Sequence, residues 1–282
     1  MAAVFGVHTA SDHAWASPNA FWRALVTNRT LIYRLARREI EARYRGSVLG
    51  IVWSLIAPLT LLAVYGFVFT VIFPSKWQGG ADGKGHFVLV LFLGMICFNV
   101  FSEAFNRAPT LMLNNVEYIK RVVFPLEALA WVVILVAMFN AVLSVAALML
   151  GYVVLVGIPP ISALLLPVVV VPLLLCTAGL VWFLSALGVF LRDLQQFMPV
   201  LTTVLMFFSP VFYPSAALPE KLRPFLLVSP IAVTIEEARG VLFENRWPTW
   251  WLLGVQLVIG GVVAWLGCSF FRKTRKGFAD VL

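Results

Sequence analysis

The sequence predicts an all-α membrane protein with six transmembrane helices, an N-terminal amphipathic interface helix, and re-entrant outer-face helices between spans five and six. Three observations predict this class. Hydrophobic residues make up 61% of the 282 positions and charged residues only 12%, against roughly 25% charged residues in a soluble domain. The mean hydropathy is +0.94, and the apolar residues fall in runs that reach the ~20 positions a helix needs to cross the hydrocarbon core. Basic residues gather before the first run and after the last, the pattern of cytoplasmic ends.

Residues 1–18 carry little pattern and are expected to be flexible. No apolar core precedes Arg23, so no cleavable signal is expected there. Residues 19–45 form the interface helix. Ile32, Ala36, Ile40 and Tyr44 recur at helical spacing beside Leu35, while Arg34, Arg38, Glu41 and Arg45 make a polar stripe with Arg37 near it. Asn28 and Thr30 mark a break after the apolar patch of Phe21, Trp22, Leu25 and Val26. An ordinary soluble helix shows the same amphipathic pattern, but adjacency to a span favours one lying along the membrane surface.

Residues 46–282 read as a single transmembrane domain, with spans at about 49–73, 87–106, 122–156, 161–190, 197–213 and 249–271. The third is longer than one crossing and should tilt or project. Pro167 and Pro172 should kink the fourth. Seven arginines lie between Arg23 and Arg45, and Arg272, Lys273, Arg275 and Lys276 follow the last span. Both termini are therefore expected in the cytoplasm, which requires an even number of spans. The net charge of +8 reflects this placement rather than nucleic-acid binding. Between spans five and six, 225–235 is apolar but far too short to cross and is broken at Ser229-Pro230. A segment of this kind enters the bilayer partway and returns; a surface loop with one buried helix fits the same residues. Gly46 and Gly50 form a small-xxx-small pair suited to close helix contact.

Several chemistries find no support. The chain has no phosphate-binding loop ending in Lys-Ser or Lys-Thr, no HExxH and no GxSxG. No catalytic residue, metal site or cofactor is expected. His8, His13 and His86 are scattered, and Cys97, Cys176 and Cys268 sit in or beside apolar runs as packing residues. Ionisable residues are scarce inside the spans, with Glu103 and Glu127 near span ends, which argues against ion-coupled transport and for energy supplied by a partner. A membrane transferase would want clustered acids or a metal at the membrane face. Phe207, Phe208, Phe212 and Tyr213 crowd the fifth span, and Trp53 opens the first. They are either packing and lipid-facing residues or a pore lining on which sugar rings slide. Arg43 and Arg45 lie at the inner membrane surface, where topology anchors and anionic-lipid contacts are expected.

The ordered motifs resemble the ABC-2 type permeases that export O-antigen, capsule and teichoic acid. Arg43-Tyr44-Arg45-Gly46-Ser47-Val48-Leu49-Gly50 with Trp53 and Pro58 resembles the family's opening. Asn114-Asn115 through Lys120-Arg121 to Phe124-Pro125, then Phe190-Leu191-Arg192-Asp193, then Ser209-Pro210-Val211-Phe212-Tyr213-Pro214 with Leu218-Pro219, follow in the family's order. Arg239 and the stretch from Pro248 to Trp250 fit the approach to the sixth span, and Ser229-Pro230 departs from the Asn-Pro frequent in relatives.

The resemblance implies a bacterial inner-membrane permease that pairs with a second copy of itself and with two copies of a separate ATPase, which would bind the ATP and magnesium. It implies a substrate of polysaccharide on a polyprenyl pyrophosphate, most readily O-antigen, with teichoic acid, capsule or a small lipid or drug as alternatives; Arg43 and Arg45 would be the candidate ligands of that pyrophosphate, or equally plain anchors. The first and fifth spans would line the pore: Trp53, Phe207, Phe208, Phe212 and Tyr213. Contact with the ATPase would fall to the interface helix and the 108–118 loop, with Asn114, Asn115, Glu117 and Tyr118 as its polar contacts. Pro109 can start a helix in that loop, with Leu111, Met112, Val116 and Ile119 on its apolar side.

Overall fold

Long runs without charge fold as helices because, away from water, each backbone N–H and C=O must be satisfied within its own segment. The structure, a computed structural model, describes residues 25–47, 49–68, 84–119, 124–215, 219, 221 and 223–281. The predicted flexible 1–18 segment, the start of the interface helix at 19–24, and Lys120 and Arg121 lie outside the described residues. So does the end of the first span beyond 68. The regular elements described are all helical: α1 (Arg29–Tyr44), α2 (Trp53–Phe67), α3 (Lys84–Arg107), α4 (Val116–Ile119), α5 (Ala128–Leu155), α6 (Leu166–Phe190), α7 (Leu194–Phe208), α8 (Arg223–Val228), α9 (Pro230–Phe243), α10 (Trp250–Thr274) and α11 (Phe278–Val281). The chain is an all-α, multi-pass membrane protein. Four helical stretches are long and apolar enough to cross a bilayer: Gly85–Arg107, Ala128–Leu155, Ile161–Phe190 and Trp250–Gly277. Among the described residues, helices α2 and α7 are apolar with 15 residues each, roughly 22 Å at 1.5 Å per residue.

The closest backbone approach between long helices lies where α6 meets α10. Gly179 on α6 faces Gly267 on α10 so closely that a Cβ on either would run into the other helix, and one on Gly260 would stand 2.7 Å from the Pro172 carbonyl oxygen. Without side chains at these positions the backbones meet directly, the contact on which helices in lipid rely. Trp182 is fully buried beside them, set edge-on to Trp131 at 5.7 Å, and its indole N–H donates to the Glu127 carbonyl at 3.0 Å. Helix α3 packs against α5, α6, α7 and α9, so it sits at the centre of the remaining helices.

Several boundaries differ from the sequence expectation for identifiable reasons. The third span begins at Ala128 rather than 122, because Phe124–Glu127 turns at Pro125, with the Ala128 N–H donating to the Pro125 carbonyl. The fourth starts with the short 3-10 turn Ile161–Leu165. Pro167 stands in the first turn of α6, where its missing N–H costs nothing, so it opens the helix rather than kinking it. The fifth runs Leu194–Phe208, not 197–213: Ser209 precedes Pro210 and is driven to extended backbone, ψ 147°. Gly46 and Gly50 have φ of 83° and 52° in the elbow between α1 and α2, with nothing near their Cβ positions. They serve the turn and stand outside the α-helices described.

Between α7 and α10 the chain forms two helices, α8 and α9, parted at Ser229, whose hydroxyl accepts from the Ala232 N–H while Pro230 starts α9. Helix α9 is buried nearly all round, charged residues included, against α3 and α6. The Arg239 guanidinium, 6% exposed, donates to the carbonyls of Val211 at 2.9 Å and Tyr213 at 3.3 Å and pairs with Glu236 at 3.1 Å. It satisfies acceptors that the break after α7 would otherwise strand.

Gly267→Val should lower the thermal midpoint of the detergent-purified protein, by the ~1–3 kcal/mol typical of overpacking or more. Gly254→Ala, where no atom lies within 4 Å of the new Cβ, should leave it level or raise it. Equal midpoints for the two variants would contradict the seam.

Candidate functional site

Two groups of side chains stand out: a charged plate at the Arg107 end of α3 and an aromatic group at the end of α7. The plate starts from α1, whose Ile32 and Ala36 are buried against α5 while Leu35 and Ile40 pack at the edge of the core. These are the apolar positions expected from the periodicity. The opposite face keeps Arg34, Arg37, Arg38 and Glu41 exposed. Glu41 bonds Arg37 at 2.7 Å, and that hydrogen bond with its charge raises the guanidinium's pKa further.

The turn after α3 lies alongside. Leu111 and Met112 are buried beneath it, and Gly188 of α6 has no side chain where the Pro109 backbone presses in. Pro109 therefore stands in a tight turn, and regular helix begins only with the 3-10 turn Leu113–Asn115 and α4. Arg38 donates to the Tyr118 hydroxyl at 3.0 Å, and Tyr118 stacks on Phe124 at 4.4 Å and 9°. Arg107 pairs with Glu39. Between α1 and the turn lies a cleft of ≈ 320 Å³ whose polar wall includes Arg38, Glu39, Arg107, Asn114, Asn115 and Tyr118. Asn115 is spent locally, donating to the Leu111 carbonyl at 2.8 Å. Glu117 is exposed and does not line the cleft. Three of the four expected contact residues thus line the cleft beside α1, and Glu117 does not.

Arg43 and Arg45 part company. Arg43 donates to Glu103 at 2.7 Å, and Glu103 also accepts from Asn140 at 2.7 Å and lies 3.9 Å from Arg107. Arg45 is exposed. Of the two, only Arg45 keeps its charge uncommitted among the described residues. Phe207 and Phe208 are exposed on α7, with Phe212 at 6.0 Å from Phe207 and the Tyr213 hydroxyl donating to the Phe207 carbonyl at 3.1 Å. Those four form one group. Trp53, exposed at the start of α2, makes no ring contact with them.

Sequence reasoning did not single out Glu39 or Asn140, and it placed Glu103 only as a charge near a span end. The one available signal was the rarity of Glu and Asn inside spans, which marks them as costly and therefore employed. Glu127 is likewise claimed, by Arg272 at 3.3 Å and Arg275 at 3.4 Å, tying the end of α10 to the start of α5. Among the described residues no group of three His, Cys, Asp or Glu is arranged to hold a metal.

Residues 30–243 match the family model described as ABC-2 type transporter. The chain is similar to the O-antigen export system permease protein RfbA of Myxococcus xanthus, 28% identical over 260 residues that cover 92% of this chain and 97% of that protein. It is similar to a protein of the same name from Klebsiella pneumoniae, 22% identical over 254 residues, 89% of this chain and 95% of the other. The polysialic acid transport protein KpsM of Escherichia coli is 23% identical over 249 residues, 85% and 91%.

Glu103→Ala leaves Arg43 and Asn140 without their acceptor and should cost ~1–3 kcal/mol of stability. In a double-mutant cycle Arg43→Ala and Glu103→Ala should combine to less than their sum. Strict additivity of the thermal shifts would show that the pair is not coupled.

Proposed function

Because this chain belongs to the ABC-2 type transporter family, we propose that it is the membrane-spanning permease of an ATP-driven exporter that moves a lipid-linked polysaccharide, O-antigen, across the bacterial inner membrane. The observation that carries this reading is the similarity to polysaccharide-export permeases along nearly the whole chain. As a family member the chain is a transport subunit without a catalytic site of its own. The similarity to a polysialic acid transport protein favours a polysialic acid-like polymer as the second reading.

In this reading α2 and α7 complete six spans, both termini face the cytoplasm, and α8 with α9 re-enter from the outer face. A second copy completes the pore, with the α7 aromatic group and Trp53 along it. Two ATPase subunits dock on the plate made by α1 and the turn after α3. The plate suits a lever, because α1 rests on α5 while the Pro109 turn bears on Gly188 of α6. A push on it reaches two long helices at once. Arg45, the uncommitted cation, is the better of the two arginines for a lipid pyrophosphate.

Deleting the gene in its host should strand full-length lipid-linked polymer in the cytoplasm and clear it from the surface. Unchanged surface polymer, with no second exporter present, would turn the assignment to a small lipid or drug. Tyr118→Ala with Arg38→Ala should reduce co-purification of the ATPase at least severalfold while the permease still inserts; full retention would remove the plate from the docking surface.

A further inference from the structure

We infer that the polar pocket between α3 and α5 binds one sugar unit of the polymer in transit, an inference that rests on the exporter reading. Helix α2 seals one half of the groove between these helices: Leu62 and Leu89 press on Gly151 so closely that a Cβ there would stand 2.9 and 3.2 Å from them. Toward the Arg107 end the groove opens into a cavity of ≈ 200 Å³, smaller than the ~300–1,000 Å³ that drug-sized ligands fill. Asn99, Ser102 and Glu103 line it from α3, Asn140 and Ser144 from α5. The facing walls include Ala137 and Ala141, whose small side chains leave the room.

Asn99 and Glu103 are one turn apart, as are Asn140 and Ser144, so two polar rows face each other on helices otherwise apolar enough to cross a bilayer. Asn99 lies eight residues from Arg107, roughly 12 Å into the helix. Polar groups at that depth are expensive unless they have a partner. Internal bonds use only part of their capacity. Glu103 takes Arg43 on one oxygen and Asn140 on the other, which fixes the carboxylate in place with lone pairs left over. The Asn99 side chain is exposed and has no hydrogen-bond partner among the described residues.

The chemistry selects the ligand. Amides and serine hydroxyls both donate and accept, and a carboxylate accepts twice, which matches sugar hydroxyls that also do both. A phosphate would meet the negative charge of Glu103, and Arg43, the nearest cation, is already paired with it. A divalent cation would find one carboxylate, itself bonded to an arginine. Ser102 and Ser144 already donate to the Asn99 and Asn140 carbonyls, so an apolar tail would leave the Asn99 amide without a partner and the remaining capacity of the other four unused. Shallow polar contacts of this kind also release readily, as a moving chain requires.

The test uses the full chain in its host with the complete exporter. A photoreactive benzoylphenylalanine replaces Asn99 or, separately, Phe208; cells are illuminated, and the denatured adducts are assayed for carbohydrate and for phospholipid. Carbohydrate should attach at position 99. Filling the pocket with Ser144→Leu, or from the other direction with Ala137→Leu, should lower that adduct about tenfold, as losing one or two hydrogen bonds would, and leave the adduct at position 208 unchanged. An undiminished adduct in both filled variants, or phospholipid without carbohydrate at 99, overturns the sugar site. Carbohydrate at 208 but not at 99 overturns the pocket and spares the exporter. Carbohydrate at neither, with normal surface polymer in the deletion strain, overturns both.

Discussion

In lipid an apolar side chain gains nothing by leaving its solvent, so α6 and α10 are held together by how closely their backbones can approach. Gly179, Gly260 and Gly267 set that distance. The contact fixes more than two helices. Trp182, one turn from Gly179, reaches from the seam to the Glu127 carbonyl, and Glu127 in turn takes Arg272 and Arg275 from the far end of α10. The start of α5 is thereby clamped to the α6–α10 pair, and α1 rests on α5. Widening the seam would loosen every helix that the plate leans on.

The long helices were legible in the sequence because hydrocarbon solvent imposes a length and excludes charge, and both leave a mark on any single stretch. Boundaries were less legible where proline acts at a distance of one residue. Pro125, Pro167 and Pro210 each moved or shaped an end that hydropathy alone had smoothed over. The glycines mislead for a related reason. Gly46 and Gly50 carry a helix-contact spacing yet sit in an elbow at positive φ, whereas the true seam joins Gly179 to Gly267 across 88 positions with no local pattern.

The site was legible in part. The apolar face of α1 and the buried Leu111 and Met112 follow from periodicity, and Asn114, Asn115 and Tyr118 do reach the cleft beside α1. What the sequence hides is pairing between distant residues. Arg43 looked like an open cation but is claimed by Glu103, and Glu39 meets Arg107 from another helix. Composition reports that charges exist near the membrane surface; only the fold reports which ones are already neutralised.

With α7 as the fifth span of the proposed reading, its 15 residues and the 28 of α5 would give this protein no single hydrophobic thickness. Lipid can match one of the two lengths, and bilayers answer a short helix by thinning or by letting headgroups and water sink toward it. The dielectric slab would be narrowest there. A hydroxyl-rich chain crossing beside α7 would stay within reach of water at both ends for more of its path than one crossing beside α5. In that reading, the insulating layer that a membrane normally presents to polar solutes would be reduced on the α7 side by the protein's own dimensions.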